Sequence, residues 1–496
     1  MRSPALAVLC TVAFAPGLAA QGYRLRLETR AQAVSFRGVT LDSVRASDVV
    51  AGPGGGPATA DGFVVRCVGA NPYCTYFRPG PERRAGPLTT LAALSAWGLG
   101  APGVSVHATA RLGLDLGGAD LWPGTAPALQ LVEGYAQYAR SRFTTRLGRQ
   151  LTGSRLGTTG FDGAQLTLRD ARSGLEVGGY AGWGLDRGAT LPVTSPALNP
   201  LDDFQPRRRQ IVAGLGAGWT GPRLDLRVDY LREVDPRSDY FVSERVGIAA
   251  VVHPVTAWSL AGGADYDLAA GWWGSADATL AYSTPSVGAA VGVRRYRPHF
   301  DLWTIWGAFS PVPYRAVHGR LTVRVRPELQ VHARGERYSF DAAEAETPLV
   351  QVERDGWRWE LGGTAVLAAR WTIDLGYHAE VGPGAASAGP GGSVTYAPTP
   401  AVRLTVHGAS LDRPLELRFS DAALRMYGFE AQALVTPRLR ATLGASRYLE
   451  ERERPDAAAF SWNQVRIVAG LAVELGPGAD GRALPVIRRL PRGPAR

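Results

Sequence analysis

Residues 317–340 read VHGRLTVRVRPELQVHARGERYSF, and this stretch decides the fold class. On both sides of Pro327, aliphatic residues alternate with arginine or other polar residues. An alternation of period two predicts two strands joined by a turn. One face of this hairpin is aliphatic, whereas the other carries guanidinium, carboxylate and imidazole groups. A soluble sheet with its core on one side and a membrane barrel with lipid outside both produce such a pattern.

The same alternation recurs along the chain after Gln21, and helical periodicity of any length is absent. It is clearest in the segments 23–28, 104–115, 223–230, 371–378, 402–407 and 465–474. The 61 glycines and 35 prolines among 496 residues suit a chain with many turns. The sequence therefore predicts an all-β protein.

Short and long connections alternate between the predicted strands. The short ones are Thr220-Gly221-Pro222, His253-Pro254, Thr284-Pro285, Arg326-Pro327, Pro398-Thr399-Pro400 and Thr436-Pro437. The long polar ones are 186–207, 235–241, 297–313, 340–355, 382–392, 412–423 and 450–461. Short periplasmic turns and long extracellular loops are typical of bacterial outer-membrane proteins. We therefore predict a membrane-spanning, antiparallel up-and-down β-barrel of about 22 strands, with about 18 or 20 as alternatives.

The two ends of the chain are predicted to lie outside the barrel. Residues 1–20 have the basic start, apolar centre and small-residue end of a secretory signal peptide. Residues 21–476 are predicted to form the barrel, and 477–496 a C-terminal tail. These features predict export to the outer membrane of a Gram-negative-type bacterium.

Two connections are predicted to fold into the lumen. Segment 36–87 is interpreted as a long loop closed by a disulfide between Cys67 and Cys74, because an even pair of cysteines remains after export. Segment 297–313 is too apolar for a free surface loop, so we expect it to pack on the wall or constrict the pore.

The formal net charge of +10 raises the question of nucleic-acid binding. The arginines lie singly on alternate positions rather than in a patch, and the chain is exported, so no nucleic acid is expected. Arginines facing a water-filled lumen favour anions instead. The expected partners are outer-membrane lipid, lipopolysaccharide, the barrel-assembly machinery and small polar solutes.

The aliphatic face of each strand is expected to meet lipid, because an arginine at mid-bilayer costs about 2–4 kcal/mol. The polar face then lines the lumen. The candidate lumen-lining residues are Arg146, Gln150, Arg223, Arg227, Arg320, Arg324, Arg326, His332, Arg334 and His378.

Signs of catalysis are few. The sequence lacks the common metalloprotease, phosphate-loop and nucleophile-elbow motifs. His378 shares one face with Asp374 and Glu380, which leaves a barrel hydrolase as an alternative, although a hydrogen-bond network in the lumen explains the group as well. No metal or other cofactor is expected.

Residues 144–169 read TTRLGRQLTGSRLGTTGFDGAQLTLR. Gly148-Arg149-Gln150, followed by Phe161-Asp162-Gly163-Ala164, resembles a strand–loop–strand unit of alginate-export-type outer-membrane barrels and related large porins. This resemblance implies a monomeric barrel that passes an anionic saccharide or similar solute through an arginine-lined lumen. Strict alternation puts Arg149 on the face opposite Arg146, so a bulge or a position above the hydrocarbon is needed.

The function predicted from the sequence is passive diffusion of small polar, anionic solutes across the outer membrane, without enzymatic activity. The main alternative is a plugged barrel with a structural or adhesion role. The barrel hydrolase is a third possibility.

Overall fold

The computed structural model describes residues 22–52, 56–69, 71–117, 129–185, 210–234, 241–297, 313–341, 354–382, 385–412, 422–452 and 462–476. The predicted signal peptide, the predicted tail and nearly all of 297–313 lie outside these residues, so those three expectations stay predictions. Among the described residues, no helix has the length and apolar character needed to cross a bilayer.

The described residues are nearly all in strands. The strands of the first half are β1 (Gly22–Arg45), β2 (Val50–Ala51), β3 (Pro57–Ala58), β4 (Val65–Arg66), β5 (Tyr73–Ala85), β6 (Pro87–Trp97), β7 (Val104–Asp115), β8 (Leu129–Ala139), β9 (Phe143–Ser154), β10 (Gly157–Asp170), β11 (Leu175–Gly184), β12 (Ile211–Thr220) and β13 (Leu224–Val234). Those of the second half are β14 (Phe241–Val255), β15 (Trp258–Asp267), β16 (Trp272–Ser283), β17 (Val287–Tyr296), β18 (Tyr314–Arg326), β19 (Leu329–Phe340), β20 (Asp355–Leu367), β21 (Trp371–Gly382), β22 (Ala385–Thr399), β23 (Val402–Asp412), β24 (Ala422–Thr436), β25 (Leu439–Arg452) and β26 (Trp462–Leu475).

The sheet closes on itself. Strand β1 pairs with β6 along one edge and with the last strand, β26, along the other, where Leu25 lies opposite Leu475. Strands β1 and β6–β26 thus form a closed antiparallel barrel of 22 strands. Closure gives every wall strand a partner on both sides, which a sheet in hydrocarbon requires. The predicted fold class is confirmed.

Aliphatic side chains cover the outside of the wall. In β18, Val317, Leu321 and Val325 are 55%, 45% and 56% exposed, and the intervening arginines point to the opposite face. Exposed leucines and valines recur at alternate positions in most wall strands. Such a continuous exposed apolar surface is out of place in water but matches a lipid-facing band. The hairpin quoted first in the sequence therefore belongs to a membrane barrel.

The two rims differ in their connections, as predicted. One rim carries the turns 98–103, 140–142, 171–174, 221–223, 256–257, 284–286, 327–328, 368–370, 400–401 and 437–438. The opposite strand ends carry the long connections, but also three short ones, 155–156, 268–271 and 383–384. His253-Pro254 lies inside β14, with the turn just after it.

The predicted loop 382–392 is wrong, because β22 already begins at Ala385. Its glycines, serine and proline favour a loop by composition. In the barrel, β21 and β23 flank this segment and supply the ladder hydrogen bonds, so the neighbouring strands override the local preference.

The predicted long loop 36–87 is also mostly strand. Residues from Val34 to Arg45 of β1 pair with β5, although β26 has already ended its pairing with β1 at Val34. The two strands therefore continue past the wall as a ribbon. The predicted disulfide is present, with Cα atoms of Cys67 and Cys74 4.3 Å apart, and Cys74 is fully buried. The inward folding of this segment stays a prediction.

Aromatic rings mark both ends of the wall. Near the short turns, Trp371 stacks on Tyr396 with ring centroids 4.3 Å apart. Near the opposite rim, Trp359 stacks on Tyr377 at 5.6 Å. Paired girdles of this kind are found where a barrel meets the two membrane–water interfaces.

Candidate functional site: the inner face of the barrel

Strands β9 and β10 leave the wall together and turn inward. Beyond Arg149 and Phe161 they pair only with each other in the sheet, and we call residues 151–160 the inner hairpin. Gly148 permits this departure, since its φ is +128° and a Cβ there would lie 2.3 Å from the carbonyl oxygen of Gly134. No other residue fits both conditions.

The tip of the inner hairpin rests on distant strands. The guanidinium of Arg155 forms an ion pair with Asp277 on β16, at 2.6 Å. Leu156 is buried in an apolar cluster with Phe161, Val212 and Leu231. The inner hairpin therefore crosses the inner faces of β11–β15 and narrows the lumen from one side.

Two glycines mark where the tip touches the wall. A Cβ on Gly247 of β14 would lie 3.0 Å from the Leu156 side chain, and one on Gly263 of β15 would lie 2.6 Å from the Arg155 guanidinium. Both glycines occupy the middle of their strands. The inner hairpin thus packs as a second layer at mid-wall.

We call the inward faces of β11–β16 the covered sector, because the inner hairpin lies over them. Several of its carboxylates are buried, namely Asp229, Glu233 and Asp267. Asp229 pairs with Arg227 at 2.9 Å, and Asp267 accepts hydrogen bonds from the backbone of its own turn. Buried charges require such partners. These three carboxylates are consequently shielded from the aqueous path, whereas Glu176 and Asp277 on the same inward faces stay 38% and 41% exposed.

The motif that resembles alginate-export-type barrels builds the root of the inner hairpin. Arg149 lies directly opposite Asp162, and its guanidinium donates to both carboxylate oxygens at 2.7 and 2.8 Å. On the opposite face of the same two strands, Gln150 lies directly opposite Phe161. The outward arginine is therefore neutralised by the outward aspartate of the same motif, which explains how this face tolerates it.

The inward faces of β17–β20 carry chains of opposite charges, which we call the arginine–glutamate ladder. Glu336 accepts from Arg294 at 2.6 Å and from Arg358 at 2.9 Å. Glu360 accepts from Arg334 at 2.5 Å and lies 3.2 Å from His332. These arginines remain about one third to two thirds exposed. Unlike the covered sector, the ladder has none of the described residues of the inner hairpin over it.

The structure places most of the predicted lumen residues on inward faces. Arg146 donates to Gln137 at 2.8 Å, and its guanidinium lies over the ring of Tyr135. Arg320 and Arg334 lie directly opposite each other in the sheet. The predicted residues on the inward wall are Arg146, Arg227, Arg320, Arg324, His332, Arg334 and His378. Their role in a solute path stays a prediction.

Three predicted lumen residues lie elsewhere. Gln150 points inward but has no exposed surface, because the inner hairpin encloses it. Arg223 lies in the turn before β13. Arg326 follows a register shift and pairs with Leu329 at the turn into β19. Bulges and strand ends break the simple alternation, so both arginines sit at the periplasmic rim rather than on the wall.

The acid and imidazole group of β21 is not arranged as a catalytic triad. Asp374 accepts from Thr364 at 2.5 Å, and Glu380 accepts from the hydroxyl of Tyr338 at 3.0 Å. Each carboxylate is thus engaged by a neighbouring strand rather than by His378. This arrangement stiffens the wall and gives no support to a hydrolase.

Four residues of the inner face were not predicted from the sequence, namely Arg155, Leu156, Arg294 and Glu360. Arg294 and Glu360 could have been found, because they occupy the polar positions of the alternating pattern in their strands. The first two could not, since their contacts are made with strands more than 50 residues away in the chain.

Comparison with known proteins finds similarity in structure but not in sequence. No protein-family model and no curated protein matches the sequence. A BenF-like porin from Pseudomonas fluorescens Pf-5 has 12% identity and a TM-score of 0.39, covering 91% of this chain and 99% of its own. OccK11 (OpdR) from Pseudomonas aeruginosa has 12% identity and a TM-score of 0.36, covering 92% and 96%. The outer membrane protein OpdK from the same organism has 12% identity and a TM-score of 0.38, covering 92% and 99%.

These neighbours are matched over nearly their whole length, but the individual strands agree only loosely. They therefore say nothing about the solute of this chain. The closed wall, its lipid-facing surface and its girdles make this protein a porin-like barrel of the outer membrane. The resemblance of residues 144–169 to alginate-export-type barrels stays an interpretation, since no family model matches.

Proposed function

We propose that this protein is a passive outer-membrane channel for small polar solutes, with a preference for anions. One observation carries the anion preference. The inner hairpin buries carboxylates of the covered sector, whereas the arginines across the lumen stay in contact with water. A charge screened by protein and paired attracts a passing ion less than an open one. The path therefore presents a net positive wall.

The open arginines suit carboxylate, phosphate or sulfate groups. Arg320 is exposed on the inward face and lies opposite Arg334, so two guanidinium groups face the lumen side by side. Arginine presents several donors in a fixed plane, which favours oxyanions over halides. A small organic acid or an acidic sugar is the solute class that fits best.

The cell biology follows from the barrel. We propose export through a cleaved signal peptide within residues 1–20, insertion by the barrel-assembly machinery and a position among lipopolysaccharide molecules in the outer leaflet. The lipid-facing aliphatic band and the extracellular long loops support this placement.

Planar bilayers test the channel directly. The purified protein should give discrete open steps in KCl, and a tenfold salt gradient should yield a reversal potential on the chloride side of zero. A cation-selective reversal potential contradicts the anion preference but keeps the channel. A silent bilayer after verified insertion contradicts the channel itself.

The inner hairpin favours one rival, a barrel closed by its own chain. That rival predicts no open steps and no swelling of liposomes in isotonic sugar solution. The same bilayer recording distinguishes an open channel from a barrel that is closed by its own chain.

A further inference from the structure

The outer surface of β17–β19 carries arginines where the wall meets the long-loop rim. Arg295 and Arg315 lie directly opposite each other, and Arg337 lies opposite Val317, one step lower. All three share the face of Val293 and Val317, which are 53% and 55% exposed to lipid. They therefore point away from the lumen and outward from the barrel.

The height of these arginines matches the edge of the bilayer. Arg337 lies eight residues above the start of β19, and Arg295 eight residues above the start of β17. Eight residues of a strand tilted by about 40° rise roughly 20 Å, close to the ~25 Å apolar band of such barrels. The guanidinium groups thus lie at the level of extracellular lipid headgroups.

Two carboxylates lie in the same region and leave the arginines in excess. Asp341 spans Arg295 and Arg315 at 3.4 and 3.5 Å, and Asp355 lies at the start of β20. Each guanidinium has five N–H donors, so one shared carboxylate at these distances leaves most of them available. Arg315 is 68% exposed in its side chain.

Below the arginines the surface is apolar. A recess of about 710 Å³ includes all three arginines, and the outward-facing part of its floor is made of small or aliphatic side chains. These floor residues are Ala276, Ala278, Val293 and Val317. Trp357, opposite Arg337, adds an exposed interfacial ring.

We propose that Arg295, Arg315 and Arg337 form an outward-facing binding site for a phosphate of the glycolipid of the outer leaflet. A guanidinium cluster recognises phosphate through charge-assisted hydrogen bonds. The apolar recess beneath receives the first part of an acyl chain, which a free phosphate ion does not have. The occupant is therefore a phosphorylated glycolipid such as lipid A. This inference rests on the outer-membrane location and not on solute transport.

The test uses native mass spectrometry of the folded full-length protein in detergent. The probes are bisphosphorylated lipid A, monophosphoryl lipid A and phosphatidylglycerol, added separately at equal concentration. The triple variant Arg295→Gln, Arg315→Gln, Arg337→Gln should bind bisphosphorylated lipid A about tenfold more weakly, the equivalent of one charged hydrogen bond lost. The corresponding triple Lys variant should retain an intermediate affinity.

A matched control removes outward arginines near the same rim on another part of the wall. Arg425→Gln with Arg447→Gln lies on β24 and β25 and should leave lipid A binding unchanged. Equal loss in this control, or equal binding of phosphatidylglycerol to the wild type, reduces the site to general surface charge and overturns the proposal. Unchanged binding in the triple Gln variant overturns it as well.

Folding is monitored by the heat-dependent gel shift of the barrel. Where the triple Gln variant does not fold, Arg337→Gln alone decides, with an expected loss of about threefold. An unchanged affinity in that single variant counts against the site. Channel conductance is recorded in parallel, so failure of the glycolipid site and failure of the channel are seen separately.

Discussion

The covered sector and the arginine–glutamate ladder are built from the same kind of strand but have opposite properties. Both have aliphatic residues outside and charged residues inside. In the covered sector the inner hairpin lies over the charges, so Asp229 and Glu233 are buried. In the ladder nothing described lies over them, and Arg334 stays 68% exposed in its side chain. A second layer, rather than the strand pattern, decides which charges meet water.

The contrast gives a physical reason for charge preference in a wall with both signs. Carboxylates and guanidinium groups form ion pairs on the inner face of both regions, so these charges neutralise each other locally. Burial of carboxylates in the covered sector then leaves an excess of positive charge on the part of the inner surface that meets water. The lumen is expected to be positive where the inner hairpin does not reach.

The largest expected effect comes from removing the second layer. Replacing residues 151–160 by a two-residue Asn-Gly turn should raise single-channel conductance by at least about twofold, since a barrel of this size encloses an aqueous lumen once nothing fills it. The same change should weaken anion preference, because it exposes the carboxylates of the covered sector.

Shortening the connection between β19 and β20 provides the control for that deletion. Removing the same number of residues from segment 342–353, which is not described in the structure, should leave the reversal potential unchanged. Identical conductance in the hairpin deletion and the wild type contradicts the idea that the inner hairpin narrows the lumen.

Charge reversal on the ladder side is the second test. Arg320→Glu with Arg324→Glu should move the reversal potential towards cations, and to its opposite sign if these two residues dominate the open wall. The matched control is Arg315→Glu with Arg337→Glu, which makes the same change of charge on the outer face of β18 and of the neighbouring β19. If both pairs shift the reversal potential equally, the inward arginines do not line the path.

The root of the inner hairpin offers a third test. Gly148→Ala should lower the free energy of unfolding by about 3 kcal/mol, the upper range for a residue held at a disfavoured φ. Gly153→Ala on the same strand should cost about 1 kcal/mol or less, because a Cβ there meets nothing within 4 Å. Urea unfolding in detergent micelles, followed by tryptophan fluorescence, compares the two variants. Equal midpoints contradict the strained departure of β9 from the wall.

The smallest expected effect concerns the ladder itself. Glu336→Gln leaves Arg294 and Arg358 without their shared carboxylate, so we expect a loss of about 2 kcal/mol in unfolding free energy. Glu451→Gln is the control, because its pair with Arg425 is 3.8 Å long and exposed, and such pairs contribute about 0–1 kcal/mol. If Glu451→Gln lowers the unfolding free energy more than Glu336→Gln does, the ladder ion pairs do not stabilise the barrel more than an exposed pair.

Prediction from the sequence succeeded where a local pattern has a single physical outcome. The alternation in β18 and β19 predicts strands, and the lipid-facing side follows because arginine is costly in hydrocarbon. The loop predicted at 382–392 was wrong, because glycine and proline favour a loop unless neighbouring strands hold the backbone extended. The prediction that Arg326 lies on the inner wall was also wrong, because a register shift places it at the turn into β19.

The sequence by itself determined that this chain is a membrane barrel with a polar interior, that its rims differ and that Cys67 pairs with Cys74. Period-two alternation and turn chemistry are local, so they can be read without a fold. Only the tertiary structure decided that the strands close as 22, that β9 and β10 bend inward and that Arg155 meets Asp277. These outcomes depend on contacts between strands far apart in the chain, and no local pattern records them.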